Sequence, residues 1–181
     1  MQRFAEEVAL SCAAGSLVSG DSATVEPIEI TRLQPDGLVV SPAFSHVAVV
    51  PAGATTIYVG GQNGVDADGK IVSDDVAEQS ASAIDNASTA LEAADASLAD
   101  VVQWTVFMAE DADLNAAYEA IGPRLAGPGA PPLVTIARVA ALGVPGALVE
   151  VSAIAAWCPD DDSPDRDDFE RRALPRGAAS Q

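Results

Sequence analysis

Between Pro131 and Trp157 the chain reads PPLVTIARVAALGVPGALVEVSAIAAW, and this stretch limits the fold more than any other. Two runs rich in apolar and β-branched residues, Leu133 to Val139 and Ala147 to Ala155, flank a connector containing Gly143, Pro145 and Gly146. The pattern predicts two strands joined by a loop, a hairpin. Side chains alternate along a strand, so Val149, Val151 and Ala153 share one face while Leu148, Glu150, Ser152 and Ile154 share the other. Glu150 is the only charge in the second run. An unpaired buried carboxylate is costly, so Glu150 needs a polar partner, a cavity wall or an exposed edge. Arg138 and Arg124 are candidate partners for a salt bridge.

Upstream, the periodicity alternates between strand and helix. Residues 1–26 lack a sustained period and read as a partly ordered arm, with a short helix over Met1 to Leu17. Strands are expected over Glu26 to Leu33, Val47 to Val50 and Thr56 to Val59, the last ending in a bend at Gly60-Gly61-Gln62-Asn63. Asn63 to Lys70 is a turn-rich loop; Gly64 stands where a calcium loop needs its first ligand, so no metal is expected there. A helix begins at Ser73-Asp74-Asp75, where Asp75 and Glu78 have capping-box spacing, and runs along the stripe Val76, Ser80, Ile84, Ala87, Leu91 and Ala94. A fourth strand over Val102 to Met108 puts Trp104, Val106 and Met108 on one face. A second helix, capped by Asp111 and Asp113, carries Leu114, Ala117, Tyr118 and Ile121 before Gly122-Pro123 breaks it. The order of strands, helix, strand, helix and two strands predicts an α+β domain at residues 27–157, with two helices on one face of a mixed sheet. The charged, proline-marked residues 158–181 read as an acidic tail.

Charge narrows the partners. Against 27 acidic residues stand 9 basic ones, of which Lys70 is the only lysine, giving a formal net charge of -18. Such a surface repels phosphate backbones and suits a salt-rich cytoplasm, so a nucleic-acid partner is not expected. Cys12 and Cys158 have no metal or redox spacing and fit reduced thiols of a cytosolic protein. Val8 to Val18 is too short and too closely preceded by Glu6 and Glu7 for an export signal, and no stretch reaches the roughly 20 apolar residues of a membrane span.

Familiar catalytic signatures are missing. There is no nucleophile elbow and no His/Cys ligand cluster, and Gly60-Gly61 opens a loop where a dinucleotide fingerprint would open a helix. His46, the single histidine, follows Ser45 and is a candidate for proton transfer or for a structural role. Glu150 is the stronger candidate, because a carboxylate set in an apolar strand can orient or activate a water.

YVGGQNGVDADGKIVSDDVAEQSASAIDNASTALEAADASLADVVQWTVFMAED, then Asn115 to Glu119, then PPLVTIARVAAL and ALVEVSAIA, resembles the Rid family, also called YjgF or endoribonuclease L-PSP-like, from about Phe44 to Trp157. The resemblance implies a chorismate-mutase-like α+β fold and a homotrimer with a central barrel. It also implies small-molecule sites in the clefts between subunits, no cofactor, and hydrolysis of 2-imino or enamine acids to 2-oxo acids and ammonia. By the same resemblance Glu150 positions the water, with His46 assisting, and Phe44, Gly61, Asn115, Val134 and Ile136 contact the substrate.

The chain departs from the family at the substrate anchor. Where the family places an arginine in a Pro-Ala-Arg-Ser-like motif, this chain has Pro132-Leu133-Val134-Thr135, so Val134, or Leu133 in the neighbouring register, takes that place. A charge-assisted bond on the order of 1.5–3 kcal/mol is lost with the arginine. Arg138 shares Val134's strand face but lies about 13 Å along the strand, too far to substitute. Phe44 stands for a family tyrosine and Ile136 for a common cysteine. These departures favour a substrate without a carboxylate, or a trimer that binds a metabolite or acts as a chaperone without catalysis.

Overall fold

The computed structural model describes residues 29–125 and 129–157. The arm at 1–26, its short helix, Cys12, Cys158 and the tail at 158–181 lie outside those residues. A two-stranded antiparallel ribbon comes first, β1 (Thr31–Leu33) and β2 (Val47–Val49). The main sheet holds β3 (Thr55–Asn63), β4 (Val101–Ala109), β5 (Leu133–Val139) and β6 (Val149–Trp157) in the order β3-β6-β4-β5. Helix α1 (Val76–Glu92) links β3 to β4, and α2 (Leu114–Leu125) links β4 to β5. This is the expected α+β architecture, with two helices against a mixed sheet.

The expected hairpin does not form. β4 lies between β5 and β6, antiparallel to β6 and parallel to β5. A parallel neighbour needs a crossover, and α2 supplies it, which places β5 at the sheet edge. Strand adjacency is decided by such long-range pairing and is invisible to a reading of local period.

Alternation holds as expected on the central strands. Trp104, Val106 and Met108 of β4 and Val149, Val151 and Ala153 of β6 are buried in one core with Ile84, Ala87 and Leu91 of α1 and Ala117 and Ile121 of α2. Ala83 and Ala87 are fully buried, so α1 meets the sheet through side chains of minimal reach. The opposite sheet face carries Glu150, Ser152 and Ile154, with Gln103, Thr105 and Phe107 beside them, all half-buried. Tyr58 on that face is 76% exposed.

Asp75 caps α1, its Oδ1 accepting from the Ala77 and Glu78 amides at 2.8 and 3.1 Å. Asp113 does the same for α2, accepting from Asn115 and Ala116. Three local expectations need correction. β3 continues through Gly60 and Gly61 to Asn63, absorbing them as an irregularity between Val59 and Gln62. Pro123 lies inside α2, which runs on to Leu125. Its last turn is held from outside, by the Arg124 guanidinium on the Ala81 carbonyl and the Asp85 carboxylate of α1. Among the described residues, β1 starts only at Thr31.

Candidate functional site

Glu150 lies on the open face of β6, opposite Asn63 of β3 on one side and Phe107 of β4 on the other. Its carboxylate rests against Gly61: a Cβ at that position would lie 2.7 Å from Oε1 and 2.8 Å from Cδ. Glycine is therefore what makes room for this side chain. Asn63 is buried, and its Nδ2 donates to the Val149 carbonyl at 3.0 Å and makes a long contact, 3.5 Å, to Glu150 Oε2. Neither arginine proposed as a salt-bridge partner reaches Glu150. Arg124 pairs with Asp85, and Arg138 donates to the carbonyls of Glu110 and Ala112.

Behind this carboxylate lies a polar scaffold. Asn86 of α1 donates to the carbonyls of Asn63 and Val65, fixing the end of β3 to the helix. Gln79, fully buried, donates to the carbonyls of Ser73 and Gly146 and accepts from the Leu148 amide at 2.8 Å. That one side chain sets the entry of β6 two residues before Glu150. The loop after β3 passes so close to α1 that a Cβ on Gly64 would lie 2.6 Å from the Gln79 Cα. Sequence reading missed Asn63, Gln79 and Asn86 because a buried amide and an exposed one look alike in a string of letters. The one available signal was a glutamine beside Ser80 on an otherwise small apolar stripe.

The second feature is a cleft of about 160 Å³ on the helix side of the sheet. Trp104, Met108 and Val149 lie in it, all 1% exposed or less, with Leu114 and Tyr118 of α2, and Val134 and Ile136 of β5. Phe44 also lines it. The segment carrying Phe44 is fastened in place: Ser45 donates from N to the Pro132 carbonyl at 3.1 Å and from Oγ to the Pro131 carbonyl at 2.7 Å. Gln34 Nε2 donates to the Phe44 carbonyl at 2.7 Å.

Register decides what these residues share. Val134 pairs with Trp104 and Ile136 with Val106, so both face the helices, whereas Glu150 pairs with Phe107 on the other face. Within one chain, Glu150 and Gly61 come together, and Phe44, Val134 and Ile136 come together, on opposite faces of the sheet. Within one chain Val134 and Glu150 therefore share no pocket wall. Leu133, the other register, pairs with Gln103 on Glu150's face.

Neither His46 nor Asn115 lines the cleft or touches Glu150, but His46 backs Phe44. The His46 ring packs edge-on to Phe44, with centroids 5.4 Å apart, and its Nε2 is 2.7 Å from the Val39 carbonyl. A carbonyl only accepts, so Nε2 carries the proton of that bond. Asn115 is exposed in the first turn of α2, while its neighbour Leu114 lines the cleft. Asp66, the acid of the calcium-like loop, spends its Oδ1 on the amides of Asp68 and Lys70.

A four-stranded mixed sheet backed by two helices is the α+β architecture that this chain shares with Rid-family structures. The family model described as Endoribonuclease L-PSP matches residues 37–157, and the chain belongs to this Rid/YjgF family. No curated protein matches the chain. Among solved structures, the Rid-family protein YyfB of Yersinia pestis is similar at 25% identity and a TM-score of 0.62, over 71% of this chain and 98% of that one. An endoribonuclease-like protein of Thermotoga maritima is similar at 27% identity and a TM-score of 0.52, over 61% of this chain and 84% of that one. Escherichia coli TdcF, solved with bound serine, is similar at 26% identity and a TM-score of 0.50, over 60% of this chain and 84% of that one. None of the described helices is long and apolar enough to cross a membrane.

Proposed function

We propose that the chain is a cytoplasmic small-molecule hydrolase of the deaminase type, working as a homotrimer on an imine or enamine that lacks a carboxylate. The carrying observation is the seat of Glu150 against Gly61 on the open sheet face, with the apolar cleft on the other face. One chain cannot bring the two together. A neighbouring copy that lays its open face over the mouth of the cleft completes the site, with Phe44, Val134 and Ile136 from one copy and Gly61 and Glu150 from the next. The exposed Tyr58 and half-buried Phe107 and Ile154 suit that face to a subunit contact.

In this reading Glu150 accepts a proton from water as the oxygen attacks the C=N carbon. Glu150 gives that proton to the nitrogen, forming a neutral carbinolamine, then takes the hydroxyl proton and passes it to the nitrogen as the C–N bond breaks and the C=O bond forms. Imine and water become carbonyl and ammonia. Gly61 keeps the carboxylate's position open and Asn63 holds one oxygen. Val134 in the anchor position removes the cation that would hold a substrate carboxylate. Asn115, at the start of α2, contacts substrate from the rim, and His46 holds the Phe44 segment through Val39.

The experiment is ammonia release from a pre-formed ketimine without a carboxylate, comparing the protein with Glu150→Ala. The proposal expects a loss of at least a hundredfold above the spontaneous rate; equal rates would remove Glu150 from catalysis. Saturable ligand stabilisation without turnover would replace the hydrolase by a metabolite-binding protein.

A further inference from the structure

We propose that the cleft between α2 and β5 binds one neutral, compact hydrocarbon group, a single aromatic ring or a branched aliphatic chain of similar bulk. This names the substrate class for the site proposed above and rests on that reading for its catalytic consequence, but the binding itself stands on the cleft alone.

Size is the first argument. The cleft measures about 160 Å³, and apolar cavities of about 150 Å³ take up benzene and stay dry when empty. Fused rings would not seat fully without moving the floor, where Trp104, Met108 and Val149 are buried, and the rest of a longer chain would project from the mouth. Interiors are packed too densely for such side chains to yield freely.

Charge is the second. Among the described residues, no carboxylate, guanidinium, ammonium or imidazole group lines the cleft, and the ionisable group there is the Tyr118 phenol, on a residue that is 52% exposed. Two arginines that could anchor an anion are already committed, Arg138 to the Glu110 and Ala112 carbonyls and Arg124 to Asp85. A carboxylate entering here would be desolvated without a partner, and the chain's net charge of -18 adds a repulsive field. A neutral ring suffers neither cost.

The test is ligand-observed NMR titration of the full chain with two probes that share a ring, benzyl alcohol and benzoate. Benzyl alcohol is expected to bind saturably and at least tenfold more tightly than benzoate. Ile136→Trp, which fills the cleft from a position already 45% exposed, is expected to weaken benzyl alcohol at least tenfold while leaving the melting curve in place. Val134→Arg is expected to reverse the preference toward benzoate, and keeps the proposal falsifiable if the tryptophan variant does not fold. Benzoate binding as tightly as benzyl alcohol, binding unaffected by both substitutions, or no binding of either ring would overturn the proposal. The last outcome would mean that another chain segment or a second copy occupies the cleft. Ring binding without ammonia release counts against the hydrolytic reading alone, and ammonia release without ring binding counts against this one alone.

Discussion

Gly61→Ala separates the seat of Glu150 from the stability of the fold. The new methyl would lie 2.7 Å from Oε1, 2.8 Å from Cδ and 3.1 Å from Cγ, where ordinary contact begins at 3.4 Å. Opening the closest of these from 2.7 to 3.4 Å moves the carboxylate by about 0.7 Å. Everything the methyl meets is the outer part of one flexible side chain, and the φ of Gly61 lies outside the left-handed region. Glu150 therefore swings to another rotamer and gives up the 3.5 Å contact to Asn63. Its cost to stability is about 1 kcal/mol, or roughly 2–4 °C in Tm for a chain of this size. A reacting group misplaced by about 1 Å loses on the order of a hundredfold in rate. Thermal unfolding and ammonia release, read on the same preparation, should then show a nearly native Tm with kcat down by at least tenfold. A variant that keeps full turnover, or one that unfolds outright, would refute the argument that Gly61 serves the glutamate.

The neighbouring glycine should behave in the opposite way. Gly64→Ala drives a methyl to within 2.6 Å of the Gln79 Cα and 2.7 Å of its carbonyl oxygen, backbone atoms of a helix that cannot swing aside. Overpacking of this kind should cost about 3 kcal/mol or more by denaturant unfolding. Gln79→Leu leaves the Leu148 amide and the Ser73 and Gly146 carbonyls without their partner, so it should also cost about 3 kcal/mol. The entry of β6 should lose protection in hydrogen exchange. Asp85→Asn breaks the ion pair with Arg124, whose partners are 64% and 34% exposed, and should cost under about 0.5 kcal/mol, less still in high salt.

Local chemistry was legible in the letters and long-range pairing was not. The caps at Asp75 and Asp113, the buried faces of β4 and β6, and the glutamate facing away from the core follow from period and residue type alone. Whether β5 neighbours β6 depends on contacts between residues far apart in the chain, and the hairpin reading failed there. Gly60-Gly61 and Pro123 look like breaks, yet both lie inside regular elements, held there by a neighbouring strand and by the grip of Arg124 on α1. The resemblance to the Rid family carried the α+β class, two helices against a mixed sheet, across these failures. The partner of Glu150 came from Asn63, three residues past Gly60, which nothing local marked as buried.

The central claim is that a working site takes its glutamate and its cleft from different copies. Chains carrying Glu150→Ala and chains carrying Ile136→Trp, each inactive alone, can be mixed during refolding and assayed for ammonia release. An intact cleft on the first kind of chain then meets an intact glutamate on the second at about a quarter of the contacts in an equal random mixture. Activity returning to about that fraction of the native rate is the predicted result. Mixed oligomers, verified by native mass spectrometry, that release no more ammonia than the two variants alone would contradict it.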